Sequence, residues 1–149
     1  MIEFTAPGVP APQGSKRHVG GGVMIESSKA LKPWRQRVNT AWNTTGRNPI
    51  EGPVTVRATF VMPRPKSHYG TGRNTGQIKD TYLDLPHVTK PDCDKLLRAI
   101  LDALSTTKTQ HGAYQDDSHV VRAWAEKRYV RPGEEPHAII TLTPAINNS

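Results

Sequence analysis

A chain of 149 residues, 35% hydrophobic and with a mean hydropathy of −0.60, has enough apolar material for one domain with a modest core. No apolar run approaches the ~18–20 residues that a bilayer span needs, and Met1–Pro10 lacks a basic segment leading into an apolar one, so we expect no secretory signal, no membrane partner and a cytoplasmic setting. Twenty Lys+Arg against 13 Asp+Glu give a formal charge of +7 and a pI near 9.8, which favours a polyanionic partner such as nucleic acid; the lone cysteine, Cys93, rules out an intramolecular disulfide and a thiolate metal cluster.

In chain order, Ile2–Phe4 predicts a short strand. Pro7–Gly22 is rich in Gly and Pro, carries Lys16 and Arg17, and reads as a mobile basic loop over about residues 10–22. Val23–Ile25 is a second short strand. Pro33 suits the first turn of a helix, and Trp34, Val38, Ala41 and Trp42 recur at helical spacing, so a helix is expected over Lys32–Trp42. Val54–Met62 alternates in the manner of a central strand. Pro63–Thr89 has almost no periodicity and reads as a second mobile basic loop, with Arg64, Lys66, Arg73 and Lys79 available to a phosphate backbone. Asp94–Ser105 is the strongest helix, with Leu96, Leu97, Ile100, Leu101 and Leu104 forming one apolar stripe. Ser118–Tyr129 and His137–Thr143 are strands, and residues 144–149 a frayed tail. The fold class is therefore α/β, one domain over 1–149, with a small mixed sheet of four or five strands and two main helices.

Four carboxylates stand out in so basic a chain. Asp92 and Asp94 sit where the second helix begins, and Asp116 and Asp117 follow one short loop after it ends. Taken singly, Asp at a helix start caps free N–H groups and Asp-Asp before a strand is turn chemistry. Taken together, two acidic pairs on either side of a helix suit a hard cation such as Mg²⁺, which takes oxygen ligands and needs few from protein. Such an ion can assist phosphodiester hydrolysis on DNA drawn in by the basic loops. Asp92 and Asp94 can converge on one ion, and a carboxylate from Asp116 or Asp117 can complete the site. Arg98, one turn after Asp94, either stabilises a phosphate or pairs with Asp94 or Asp102, and Lys95 has the same two readings. The six histidines show no metal-binding spacing, and Trp34, Trp42 and Trp124 are read as core or dimer contacts.

The segment KPDCDKLLRAILDALS followed by GAYQDDSHVV resembles the core signature of the RusA family of Holliday junction resolvases, many of them carried by phages. Pro91, Asp92, Asp94, Leu96, Asp102, Ala103 and Leu104 match its first part, and Asp116, Asp117 and Val120 its second. The loop Gly8–Arg17 agrees loosely with the family's N-terminal pattern. The resemblance implies a homodimeric α/β endonuclease that uses Mg²⁺, or Mn²⁺ in its place, with no small-molecule cofactor, and cuts four-way DNA junctions symmetrically during recombination, repair or phage DNA processing. It carries the essential acidic roles to Asp92, Asp94 and Asp117 and a catalytic lysine's place to Arg98. Two positions depart from the pattern: Lys95 stands where the family has Asn, and Arg98 where it has Lys. Arg keeps the charge but not the proton-donating capacity. A branched-DNA-binding protein without catalysis is the alternative. A calcium-binding module is disfavoured, because D-C-D-K lacks the Gly and terminal Glu of an EF-hand loop.

Overall fold

A computed structural model describes residues 1–14, 16–18, 24–26 and 29–145, the side chains being described at 1–14 and 29–145. Among the described residues the strands and α-helices follow in the order β1 (Ile2–Pro7), β2 (Lys16–His18), β3 (Met24–Glu26), α1 (Leu31–Thr44), β4 (Val54–Met62), α2 (Cys93–Leu104), β5 (Val120–Tyr129) and β6 (His137–Pro144). Four strands make one mixed sheet in the order β1-β6-β4-β5, and β2 and β3 form a separate antiparallel ribbon. β4 is antiparallel to β6 and parallel to β5. Parallel neighbours need a long crossover, and α2 lies within it. This is the small mixed sheet with two helices that the sequence predicts.

The alternation in β4 explains its central place. Val54, Val56, Ala58, Phe60 and Met62 point to one face and join Trp34, Val38 and Trp42 of α1 and Leu96, Ile100 and Leu104 of α2 in a single core. The apolar stripe of α2 is turned slightly from its expected position. Ala99 and Ala103 are fully buried, whereas Leu97 and Leu101 are only half-buried. The small alanines let α1 approach closely, so that Asn39 donates to the Ala103 carbonyl at 3.1 Å. Trp34 and Trp42 are core residues as expected, but Trp124 is 43% exposed on β5, where Arg57 stacks on it at 4.8 Å. Among the described residues β5 has no strand on its outer side, and Val121 and Trp124 are both exposed on it.

Several boundaries differ from the sequence reading. β1 runs to Pro7, because its pairing with β6 continues through Pro7 and His137. The first part of the N-terminal loop is docked: Gly8 N donates to Pro136 O, Gln13 N donates to Lys95 O at 2.9 Å, and Pro10 and Ala11 are buried. Its second part contains β2, which lacks any alternation long enough to announce itself. The tail 146–149 lies outside the described residues. No helix among the described residues is long and apolar enough to cross a membrane.

Pro63–Thr89 is not structureless. It forms short 3₁₀ turns at Lys66–His68, Gly72–Asn74 and Asp80–Tyr82, organised around Arg64. That side chain is buried. Its guanidinium donates to the carbonyls of Val130 (2.8 Å), Tyr82 (2.6 Å) and Leu83 (3.2 Å), lies 3.2 Å from the His68 ring and packs over Tyr129. The assignment of Arg64 to DNA is therefore corrected: its donors are committed inside the protein. His68 stacks on Tyr82 at 4.3 Å, and burial, with Arg64 beside it, lowers its pKa and favours the neutral ring.

Where β5 ends, Arg128 donates twice to Glu134, at 2.6 and 2.9 Å, and Arg131 N adds a third bond. Those bonds, Arg128's first among them, hold the Glu134 carboxyl down to about 2, against an ordinary 4.5. A depressed folded pKa means that the unfolded chain takes up this proton first. The contribution to stability is thus present above about pH 4.5 and lost as pH falls toward 2. In melts across that window, Glu134→Gln is expected to show a flatter dependence of Tm on pH than the parent; parallel curves would refute the linkage.

Candidate active site

α2 is the scaffold of the site. Asp92 is its N-cap residue, with extended backbone, yet its carboxylate makes no capping bond. Asp94 lies in the first turn. Both are exposed, and among the described residues neither side chain makes a hydrogen bond or an ion pair. The backbone before them is pinned from β5: Lys127 Nζ donates to Thr89 O (2.6 Å) and Pro91 O (2.9 Å). Lys127 was missed as a site residue, though a signal existed. In the alternation of β5 it shares a face with Ala125, which packs against the core, and a lysine turned that way requires acceptors.

Asp94, Lys95 and Arg98 line a shallow cavity of about 440 Å³ together with Gln13, Leu97 and Leu101. Gln13 Oε1 is buried there with no hydrogen-bond partner. Arg98 is exposed, and its Nε lies 3.9 Å from Asp102, longer than a hydrogen bond. It therefore keeps donors for a phosphate.

Asp116 and Asp117 sit near the opposite end of α2. Gly112 makes this possible, because a Cβ there would overlap the Leu104 carbonyl and the Ser105 backbone. Ala113 N then donates to Leu104 O, and the Tyr114 hydroxyl donates to Leu101 O at 2.8 Å, tying the following turn to the last turn of the helix. Burial pushes the Tyr114 hydroxyl pKa well up and keeps it a donor. Asp116 accepts from Ser118 N at 2.9 Å and caps the turn Asp117–His119; bonds from Ser118 hold its carboxyl below the usual range. Asp117 is half-buried and lines a cleft of about 860 Å³ with Asp102. Burial raises the Asp102 pKa, with Asp117's charge adding to it, while Arg98 and Arg35 act in the opposite sense.

The two acidic pairs therefore occupy two ends of one helix. Asp94 and Asp102 are eight residues apart, about 12 Å of helical rise, and Asp117 is on the Asp102 side. Among the described residues no three acidic, His or Cys side chains group closely enough to hold a metal ion. Of the residues expected on DNA, Lys66, Arg73, Lys79 and Lys95 are exposed, whereas the side chains of Lys16 and Arg17 lie outside the described part. The model of the family described as Endodeoxyribonuclease RusA matches residues 7–143. No curated protein matches the chain.

Proposed function

The chain belongs to the RusA family of endodeoxyribonucleases, and from that premise we propose that it resolves four-way DNA junctions by Mg²⁺-dependent phosphodiester hydrolysis, acting as a homodimer. The observation that carries this reading is the pair of unpartnered carboxylates at Asp92 and Asp94, with the exposed guanidinium of Arg98 one turn away. Carboxylates with free oxygens are the donors that Mg²⁺ prefers, and the ion keeps several waters, so it needs few protein ligands. Asp92, Asp94 and Asp117 would hold it, with Asp116 assisting. A bound Mg²⁺ supplies neutralisation of phosphate charge and an acidified water.

The chain's own residues have separable tasks in this reading. Lys127 fixes the backbone that presents Asp92. Arg98 offers a planar fork to the phosphate, which suits electrostatic stabilisation rather than proton donation. Lys66, Arg73, Lys79 and Lys95, with Lys16 and Arg17, position the DNA backbone.

The distance between the acidic pairs supports a dimeric site. Asp117 cannot join Asp92 and Asp94 of its own chain without crossing the length of α2. A second copy brings its Asp117 to that place, and the two-fold relation creates two equivalent sites for a two-fold substrate. The edge of β5, unpaired among the described residues and with Val121 and Trp124 exposed, is available to such a copy.

The test is cleavage of a synthetic four-way junction beside a linear duplex, with Mg²⁺ and with EDTA. Paired nicks on the junction alone, lost in EDTA, are expected. Tight junction binding without nicks would overturn the enzymatic reading in favour of a branched-DNA-binding protein.

A further inference from the structure

One wall of the cleft beside Asp117 is the solvent face of α1. Lys32, Arg35, Gln36, Asn39 and Thr40 fall on it at helical spacing, a polar stripe opposite the buried stripe of Trp34, Val38 and Trp42. Asn39 is spent within the fold, donating to the carbonyls of Ala103 and His111. The other four differ. Among the described residues, none of their side chains makes a hydrogen bond, and Arg35 has only Asp102 at 3.9 Å, too far for one. Asp102 also faces Arg98 at 3.9 Å, so two guanidinium groups share one partly buried carboxylate. A loose, half-exposed pair of this kind contributes little to stability. Folding therefore does not explain why two cations and two neutral polar side chains are aligned along a cavity that ends at Asp117.

We propose that this stripe is the track for one DNA strand beside the scissile phosphate, with Lys32 and Arg35 neutralising backbone phosphates and Gln36 and Thr40 able to donate to them. This deepens the nuclease reading above and rests on it. The cleft, of about 860 Å³, has room for a short stretch of strand. From Lys32 to Thr40 the stripe covers about 12 Å along the helix, room for three or four strand phosphates at ~3.4 Å of axis each. Among the described residues Asp102, 3.9 Å from Arg35, is the one carboxylate facing that guanidinium, and a strand phosphate would compete with it for the same donors. Strands open at the centre of a four-way junction are the DNA that such a channel fits.

The experiment is junction binding by fluorescence anisotropy in EDTA, titrated with KCl, with cleavage in Mg²⁺ measured beside it. Each phosphate contact removed makes the plot of log affinity against log salt shallower by about 0.7–0.9. Lys32→Gln and Arg35→Gln are each expected to do so, the double variant by about twice as much, and Arg35→Lys to restore the slope. Arg131→Gln, on the distant turn after β5, serves as the reference and should leave it unchanged. A wild type that cuts junctions while the Lys32 and Arg35 variants keep its slope would overturn the track and leave the nuclease reading standing. Weakened binding at an unaltered slope would do the same, because it marks an indirect effect on structure. A wild type that neither binds nor cuts would overturn both.

Discussion

Asp92→Asn and Asp117→Asn should each lower junction cleavage by about a thousandfold or more, equivalent to about 4 kcal/mol of transition-state stabilisation. Junction binding in EDTA should change little, since neither carboxylate is needed to hold the backbone and removing negative charge does not weaken attraction to DNA. The informative step is to mix the two inactive proteins. In a site built within one chain, every site of a mixed dimer carries a defect and the mixture stays inactive. In a site shared between chains, one site of the mixed dimer receives both defects and the other receives none. The mixture should then regain nicking of one strand but not paired cutting. A mixture as inactive as its components would remove the shared site, and full cleavage by either single variant would remove the residue assignments themselves.

Arg64→Ala should destabilise the fold strongly. It strands three carbonyls that a buried guanidinium now satisfies, and it removes the packing over Tyr129. Hydrogen bonds to a charged donor contribute about 1.5–3 kcal/mol each, not fully additively, so a loss of about 3–5 kcal/mol is expected. For a chain of this size that lowers Tm by roughly 6–20 °C. Limited proteolysis should find new cuts within 63–89, since the turns there depend on this anchor. Were Arg64 a DNA contact, the variant would melt normally and bind DNA with a shallower salt dependence; a normal melt would refute its structural role.

The regular elements were legible because each repeats a period. β4 alternates over nine residues and α2 places five apolar side chains at helical spacing, so both announce themselves locally. Arg64 illustrates what was not legible. An arginine in an aperiodic basic stretch looks like a phosphate contact, and its true partners, the carbonyls of Tyr82, Leu83 and Val130, carry no side-chain signal. The same holds for the separation of the two acidic pairs. Sequence proximity suggested convergence, because the loop between α2 and Asp116 is short. A loop that short returns the chain only to the end of the helix it has just left, on the Asp102 side, while Asp92 stays at the beginning. Arg35 carries no periodic signal of its own; its place beside Asp102 depends on how the two helices pack.

That Asp92 and Asp117 flank α2 also constrains assembly. A two-fold axis that carries Asp92 of one copy toward Asp117 of the other passes midway between those residues, beside the centre of α2. Arg98 stands there with its side chain 66% exposed. In the shared-site dimer proposed above, the axis therefore brings two equal cations together, each with only a loose Asp102 carboxylate at 3.9 Å to offset it. DNA phosphate supplies a further anion, so substrate should tighten such a dimer, and the free protein should shift toward monomer as the ionic strength of the solution is lowered.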